Sequence, residues 1–433
     1  MKWTVGLIIF SVSLLVVLGL LALYSVTYSK WDGTRSSIVL MSADSLSAVG
    51  VAEAENAVDK EWSVSTRNIQ GMDSFKRQAF FVLLGAVCCA IIALWFDYKL
   101  LQQKWIQVVL LLGSMLLLTI VFIPQLGGVS VKGSHRWIHW GVNFQPSELA
   151  KLSVVIFLSW YGSKYPAKIP TFWGGLIFPM LVVSGVVLLI FLEPDAGTTF
   201  FLLAIISSML LVMGARWRYL LVPAGTLLIL LCIWLYNDPV RSARLLSWLD
   251  VEGTKQGVGL QAYSSLVAFG SGGWFGKGLG AGEVKMGFLP EDHTDFILPI
   301  IGEELGLVTV LLIISLFVLL LICGFKVASR SRDLFGTYLA IGITLMLVLQ
   351  AVINIGVVTS LLPNKGMPLP FISRGGTNIV MLMISVGLLL AIALRGNKSE
   401  NLGPIQSQRT ILDEREIEIG KLFKQKKGDE REN

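Results

Sequence analysis

Charged side chains are scarce in this chain: Asp, Glu, Lys and Arg make up 15% of its 433 residues, against about 25% in an ordinary soluble domain. Histidine occurs three times and cysteine four times. The cysteines, Cys88, Cys89, Cys232 and Cys323, all sit inside apolar runs, so no external disulfide framework is available and they read as small buried hydrophobes. His135 and His139 stand four apart, but no third ligand is evident nearby and their Gly-rich setting argues against a helix. A zinc site is therefore not expected. The net charge is +6, yet the basic residues are scattered between hydrophobic runs without an aromatic-interleaved stripe, which excludes nucleic acid as a partner. The glycines of GKGLG, around Lys277, follow no strand, and no Ser or Thr follows the lysine. Both the Rossmann and the P-loop readings fail on that point.

What the chain has in place of charge is hydrocarbon. Apolar residues make up 54% of it, in ten runs long enough to cross a bilayer, which takes about 20 residues as a helix. They lie near 5–27, 77–96, 105–124, 147–162, 172–192, 198–214, 219–236, 296–325, 334–360 and 377–394. The first run is too long for a signal-peptide core and lacks a small-residue cleavage site, so it reads as a retained span. The expectation is an all-α polytopic membrane protein with about ten transmembrane helices and a large external loop between spans seven and eight. With the N-terminus in the cytoplasm, the inside segments hold Lys2, then Lys99 and Lys104, Lys164 and Lys168, Arg216 and Arg218, and Lys326, Arg330 and Arg332. That fits the positive-inside rule, and ten spans return the C-terminus to the cytoplasm.

The domain plan is a ten-span unit over 1–395 and a charged cytoplasmic tail over 396–433. The unusual loops all fall outside. The first, 28–75, reads as mixed and weakly helical. The third-to-fourth connection carries Lys132, Arg136, Trp137 and Trp140, suited to headgroup depth. Pro146 then opens a helix on which Glu148 and Lys151 share a face, as a local ion pair or as charges turned toward protein or water and away from lipid. LEPDAGTT puts Asp195 in a turn, or, as an acid at a span end, in the wall of a cavity.

The loop 237–295 carries the densest chemistry. Eight glycines fall between Gly270 and Gly287, suited to tight turns and close backbone approach. Glu291, Asp292, His293 and Asp295 then meet an apolar run at Phe296. Asp295 stands where water meets the helix, either as a carboxylate with a raised pKa able to act as a general base, or as the cap of the helix that follows. Glu303 and Glu304, further into the run, need partners, with Lys151, Lys365 or Arg374 as the candidates. Gln350 and Asn354 place two amides on one face of span nine. The prolines of LLPNKGMPLPF make a rigid turn, and Lys365 and Arg374 bring cations to the outer face, against the positive-inside trend. An anionic ligand such as a lipid pyrophosphate would account for them.

In this order, the segments HRWI with QPSELAKL, EPDAGT, SLVAFGSGGWFGKGLG, FLPEDHTDFI with GEELG, and NIGVVTSLLPNKGMPLPFIS resemble the SEDS (shape, elongation, division and sporulation) family over nearly the whole membrane unit. GWFGKGLG and the lysine of LLPNKGMPLPF are similar to its cell-division branch. The resemblance implies a peptidoglycan glycosyltransferase that polymerises lipid II on the outer face of the cytoplasmic membrane. It also implies partnership with a class B penicillin-binding protein, a transpeptidase, among other membrane proteins of the division machinery. It puts the essential aspartate on Asp295. The substrate-binding candidates are Arg136, Lys151 and Glu148 from the earlier loops, Gln261 and His293 from the large one, and Lys365, Ser373 and Arg374 from the last. A divalent cation, magnesium or manganese, at the pyrophosphate is the one cofactor expected. The chain departs from the family pattern at Arg374, Thr377, Asn378, Glu193 and Pro299, and in the length of its first external loop. The rival classes are a lipid II flippase and a non-catalytic scaffold for the transpeptidase.

Overall fold

The computed structural model describes residues 1–44, 75–131, 134–140, 143–193, 195–219, 225, 247–255, 257, 259–284, 295–364 and 366–396. Its helices are α1 (Lys2–Asp44), α2 (Phe75–Leu94), α3 (Lys104–Ile120), α4 (Pro146–Lys164), α5 (Trp173–Leu192), α6 (Ala196–Val212), α7 (Leu260–Gly272), α8 (Ile297–Ser329), α9 (Leu334–Val358) and α10 (Gly376–Gly396). Six of them, α1, α2, α5, α8, α9 and α10, are long and apolar enough to cross a membrane by length and composition, and α3 and α6 are shorter apolar helices. The chain is a multi-pass, mainly helical membrane protein, and nine of the ten expected spans fall on described helices. The seventh, near 219–236, lies almost wholly outside the described residues, as do residues 45–74 of the first loop and the tail from 397.

Three features differ from the expectation. Helix α1 does not stop with its apolar run at Thr27 but continues to Asp44. The third-to-fourth connection folds as a small antiparallel sheet in the order β1 (Gly128–Val131), β2 (Ser134–His139), β3 (Asn143–Phe144). The large external loop contains a helix of its own, α7.

Helix α9 is the central pillar, packed against α4, α6, α8 and α10. Helix α2, by contrast, turns Phe80, Leu83, Val87, Ile91 and Leu94 outward to the lipid side. Helix α1 crosses close to the α9–α10 connection: a Cβ at Gly19 would lie 2.6 Å from the Ile372 Cα. That connection is buried, with Leu369, Phe371 and Ile372 each 2% exposed or less. Non-helical backbone is tolerated at this depth only when protein covers it.

Helix α8 is interrupted. Gly306 has φ +79° and ψ 177°, which splits the element into a short outer half, Ile297–Leu305, and a long inner half. The glycine loop after α7 threads the break. Lys277 and Gly278 donate their N–H groups to the carbonyls of Glu303 and Glu304, and Leu307 and Val308 donate theirs to the carbonyls of Gly273 and Trp274. Both new helix ends thereby find the partners that helix termini otherwise lack. Only glycine fits at the crossing, because a Cβ on Gly276 would sit 2.1 Å from the Glu304 carbonyl oxygen.

Candidate functional site

Asp295 stands immediately before Phe296, the N-cap of α8. Phe296 makes no side-chain cap of its own. The residue is half-buried. Its main chain is held from α9: Asn354 donates through Nδ2 to the Asp295 carbonyl at 2.8 Å and to the Met367 carbonyl at 2.6 Å. Gly366 lies against the carboxylate, where a Cβ would come 2.6 Å from Asp295 Oδ2. The acid and the proline-rich turn are thus brought together by one buried amide.

One turn earlier on α9, Gln350 donates to the Pro368 carbonyl at 2.9 Å, and Lys151 Nζ lies 3.4 Å from Gln350 Oε1. Lys151 pairs with Glu148 at 2.8 Å, and both side chains are nearly fully buried. It also lies 5.2 Å from the Phe201 ring centroid, a cation–π contact. Both readings of the α4 pair therefore hold: it is a local ion pair, and it abuts the amides that carry the turn beside Asp295.

The other candidates divide. On α7, Gln261 Oε1 accepts from Asn364 Nδ2 at 2.7 Å, next in sequence to Lys365. The Ser373 hydroxyl oxygen accepts from the Leu369 N–H at 2.8 Å within a tight turn. Arg374 is half-buried. Burial, and then the like charge of Arg77 on α2, lower its pKa from the ordinary value. Arg136 on β2 reaches the N-terminus of α6, with Nε 3.6 Å from Asp195 Oδ2. Asp195 is the N-cap of that helix, bonded to the Thr198 N–H and hydroxyl. It was legible as a turn, but its contact with Arg136 was not. Glu193 beside it is fully buried; burial first and Asp195 second push its pKa up to about 8, with Arg136 opposing. His293, Lys365 and Lys132 lie outside the described residues.

Of the candidate partners for the α8 glutamates, Lys365 lies outside the described residues, and the contacts described here come from elsewhere. Glu303 takes Lys277 at 3.0 Å, and Glu304 accepts from the Ser25 hydroxyl of α1 at 2.5 Å. Lys151 is held by Glu148, and Lys277 is 26 residues before its partner, on a loop with no helical periodicity to announce the contact. For a metal, no group of three or more His, Cys, Asp or Glu side chains forms among the described residues. His139, on a strand as its Gly-rich setting allowed, lies 2.7 Å through Nδ1 from Asn143 Oδ1.

The model of the cell cycle protein family that groups FtsW, RodA and SpoVE matches residues 56–398. A probable peptidoglycan glycosyltransferase FtsW of Geobacter metallireducens is 39% identical over 362 residues, covering 83% of this chain and 94% of that protein. The protein of the same name in Nitrosococcus halophilus is 41% identical over 325 residues, covering 73% and 82%. Among solved structures, a chain of a peptidoglycan synthase complex that coordinates polymerization and crosslinking superposes with a TM-score of 0.66 at 25% identity, covering 90% of this chain and 97% of that one. The rod shape determining protein RodA of Thermus thermophilus shares the fold, with a TM-score of 0.59 at 24% identity and coverage of 89% and 95%. The match over most of its length and the identity to full-length relatives establish that this chain belongs to the FtsW, RodA and SpoVE family of cell cycle proteins.

Proposed function

We propose that this chain is a peptidoglycan glycosyltransferase that polymerises lipid II at the outer face of the cytoplasmic membrane during cell division, with both termini in the cytoplasm and Asp295 as general base. The observation that carries the reading is the seating of Asp295: a half-buried carboxylate at the mouth of a span, with its backbone fixed by Asn354 and its side chain against Gly366. The printed names of the relatives point to the same activity. The synthase-complex neighbour supports a class B penicillin-binding protein as partner.

In a single inverting displacement, an acceptor hydroxyl of one lipid-linked chain attacks the anomeric carbon of another. The new glycosidic C–O bond forms as the bond to the lipid pyrophosphate breaks, and Asp295 takes the hydroxyl proton. Negative charge builds on the departing pyrophosphate, and fixed cations at the outer mouth would stabilise it. Arg374 and Lys365 suit that role by their place in the last outer loop. Lys151 acts differently, because Glu148 already balances its charge; it supports Gln350 and the turn. A divalent cation would be held largely by the pyrophosphate oxygens, with Asp295 as a candidate protein carboxylate.

The test is polymer formation from labelled lipid II by the purified protein with a candidate transpeptidase, wild type beside Asp295→Asn. Polymer from wild type and none from the folded variant is expected. Equal polymer from both would move the base elsewhere. A protein that transports lipid II without polymerising it would make the flippase reading the correct one, and a division function intact in Asp295→Asn would favour the scaffold.

A further inference from the structure

Glu303 is fully buried, an expensive position for a carboxylate, and its contacts account for it. Oε1 pairs with Lys277 Nζ at 3.0 Å and accepts the Glu283 N–H at 3.0 Å, and Oε2 accepts the Val284 N–H at 3.2 Å. Ser271 adds a hydroxyl at 3.5 Å. Charge-assisted bonds from backbone N–H groups are among the stronger hydrogen bonds. Glu304 next to it takes Ser25, whose oxygen also accepts the Gly280 N–H at 3.2 Å. The glycine loop is therefore fastened to the outer half of α8 by two adjacent side chains as well as by its backbone.

The place of this knot in the chain gives it meaning. Residues 283 and 284 are the last before the ten that lead to Asp295. Asp295 in turn sits at the start of the helical half whose far end carries Glu303. The segment bearing Glu291, Asp292 and His293 thus leaves from a point gripped by Glu303 and returns to the same short helix. Resting on the proposed role of Asp295, we propose that Glu303 is a positioning residue for the transfer reaction. It fixes the entry of the acidic segment and the outer half of α8 to each other, and so sets where the Asp295 carboxylate meets the acceptor hydroxyl. Helical geometry alone would leave that half free to tilt about Gly306, where the backbone leaves the helical region. Reacting groups misplaced by about 1 Å lose about a hundredfold in rate.

The experiment compares full-length wild type, Glu303→Ala, Glu303→Gln and Asp295→Asn with the transpeptidase partner, reading kcat and KM for lipid II polymerisation together with amide hydrogen exchange along the chain. Glu303→Ala should lower kcat by about tenfold to a hundredfold while KM moves little. Exchange should rise at 283–284 and across 297–305 and stay at the wild-type level in α9 and α4. Glu303→Gln, which keeps one oxygen acceptor for the Glu283 or the Val284 N–H but sets an NH2 group against the other, should recover part of the loss. A folded Glu303→Ala with wild-type kcat would overturn the proposal. So would a loss equal in both variants with exchange raised throughout, which would make Glu303 a stability residue only. Activity in Asp295→Asn would defeat the assignment of the base instead, and that result is read separately from the local exchange at 297–305.

Discussion

Two lysine–glutamate pairs in this protein reach similar distances by different means. Glu148 and Lys151 are three residues apart on one helix, 2.8 Å from each other, and both are buried. Glu303 and Lys277 are 26 residues apart, 3.0 Å from each other, and only the glutamate is buried; Lys277 remains 28% exposed. The first pair relies on each partner to balance the other inside low dielectric. The second anchors a carboxylate that also holds two backbone N–H groups, so its lysine carries less of the burden. Removing one member of a buried pair leaves an uncompensated charge, whereas a carboxylate with other donors degrades more gently.

The largest effect should therefore come from Lys151→Met, which strips Glu148 of its countercharge. Breaking such a pair costs about 3–5 kcal/mol, to be read as a fall in thermal unfolding temperature in detergent together with lost polymerisation. Glu148→Gln combined with Lys151→Met should recover much of the stability without restoring activity. Lys277→Met should destabilise less. Its pair should also weaken as salt is raised, because Lys277 meets solvent and the α4 pair does not. Equal costs and equal salt dependence for the two lysines would erase the distinction between the pairs.

An intermediate effect is expected at Asn354, a neutral contact that separates charge from geometry. Asn354→Leu would leave the carbonyls of Asp295 and Met367 without their buried donor. Each such loss costs about 1–3 kcal/mol. Turnover should fall more steeply than stability, because the same amide fixes the backbone of the proposed base. Unchanged kcat in a folded Asn354→Leu would show that the charged pairs alone organise the site.

The two pairs also mark where the sequence is readable. Nine of the ten spans, a three-residue spacing on a helix, and the two amides of Gln350 and Asn354 on one face of α9 all follow from local periodicity, and each of these is found. So does the position of Asp295 at the water–helix boundary. The contact of Lys277 with Glu303 carries no periodic signal, because a loop has none, and the break at Gly306 hides inside an apolar run that reads as one continuous span. The sheet β1–β3 was invisible for a related reason: strands of two to six residues in a Gly-rich stretch are too short to establish an alternation. Non-local pairing sets what the sequence leaves open, here the partners of Glu303, Glu304 and Arg136.

A third buried carboxylate sharpens the comparison by a different solution. Glu193 is as buried as Glu303, but burial and the neighbouring Asp195 push its pKa up to about 8, so near neutrality it keeps its proton. The folded protein then binds a proton that the unfolded chain, with an ordinary glutamate, has released. Stability from this group is complete below the ordinary carboxylate range and is lost as pH rises through the window up to about 8. Within any one pH unit the change is at most about 1.4 kcal/mol. Thermal unfolding followed across that window should decline more steeply in wild type than in Glu193→Gln, whose amide does not titrate, and the two curves should converge toward acid pH. Parallel curves would mean that Glu193 is ionised in the fold and balanced by Arg136, which would place it with the paired carboxylates and leave the protein with one strategy for buried acids where two are expected.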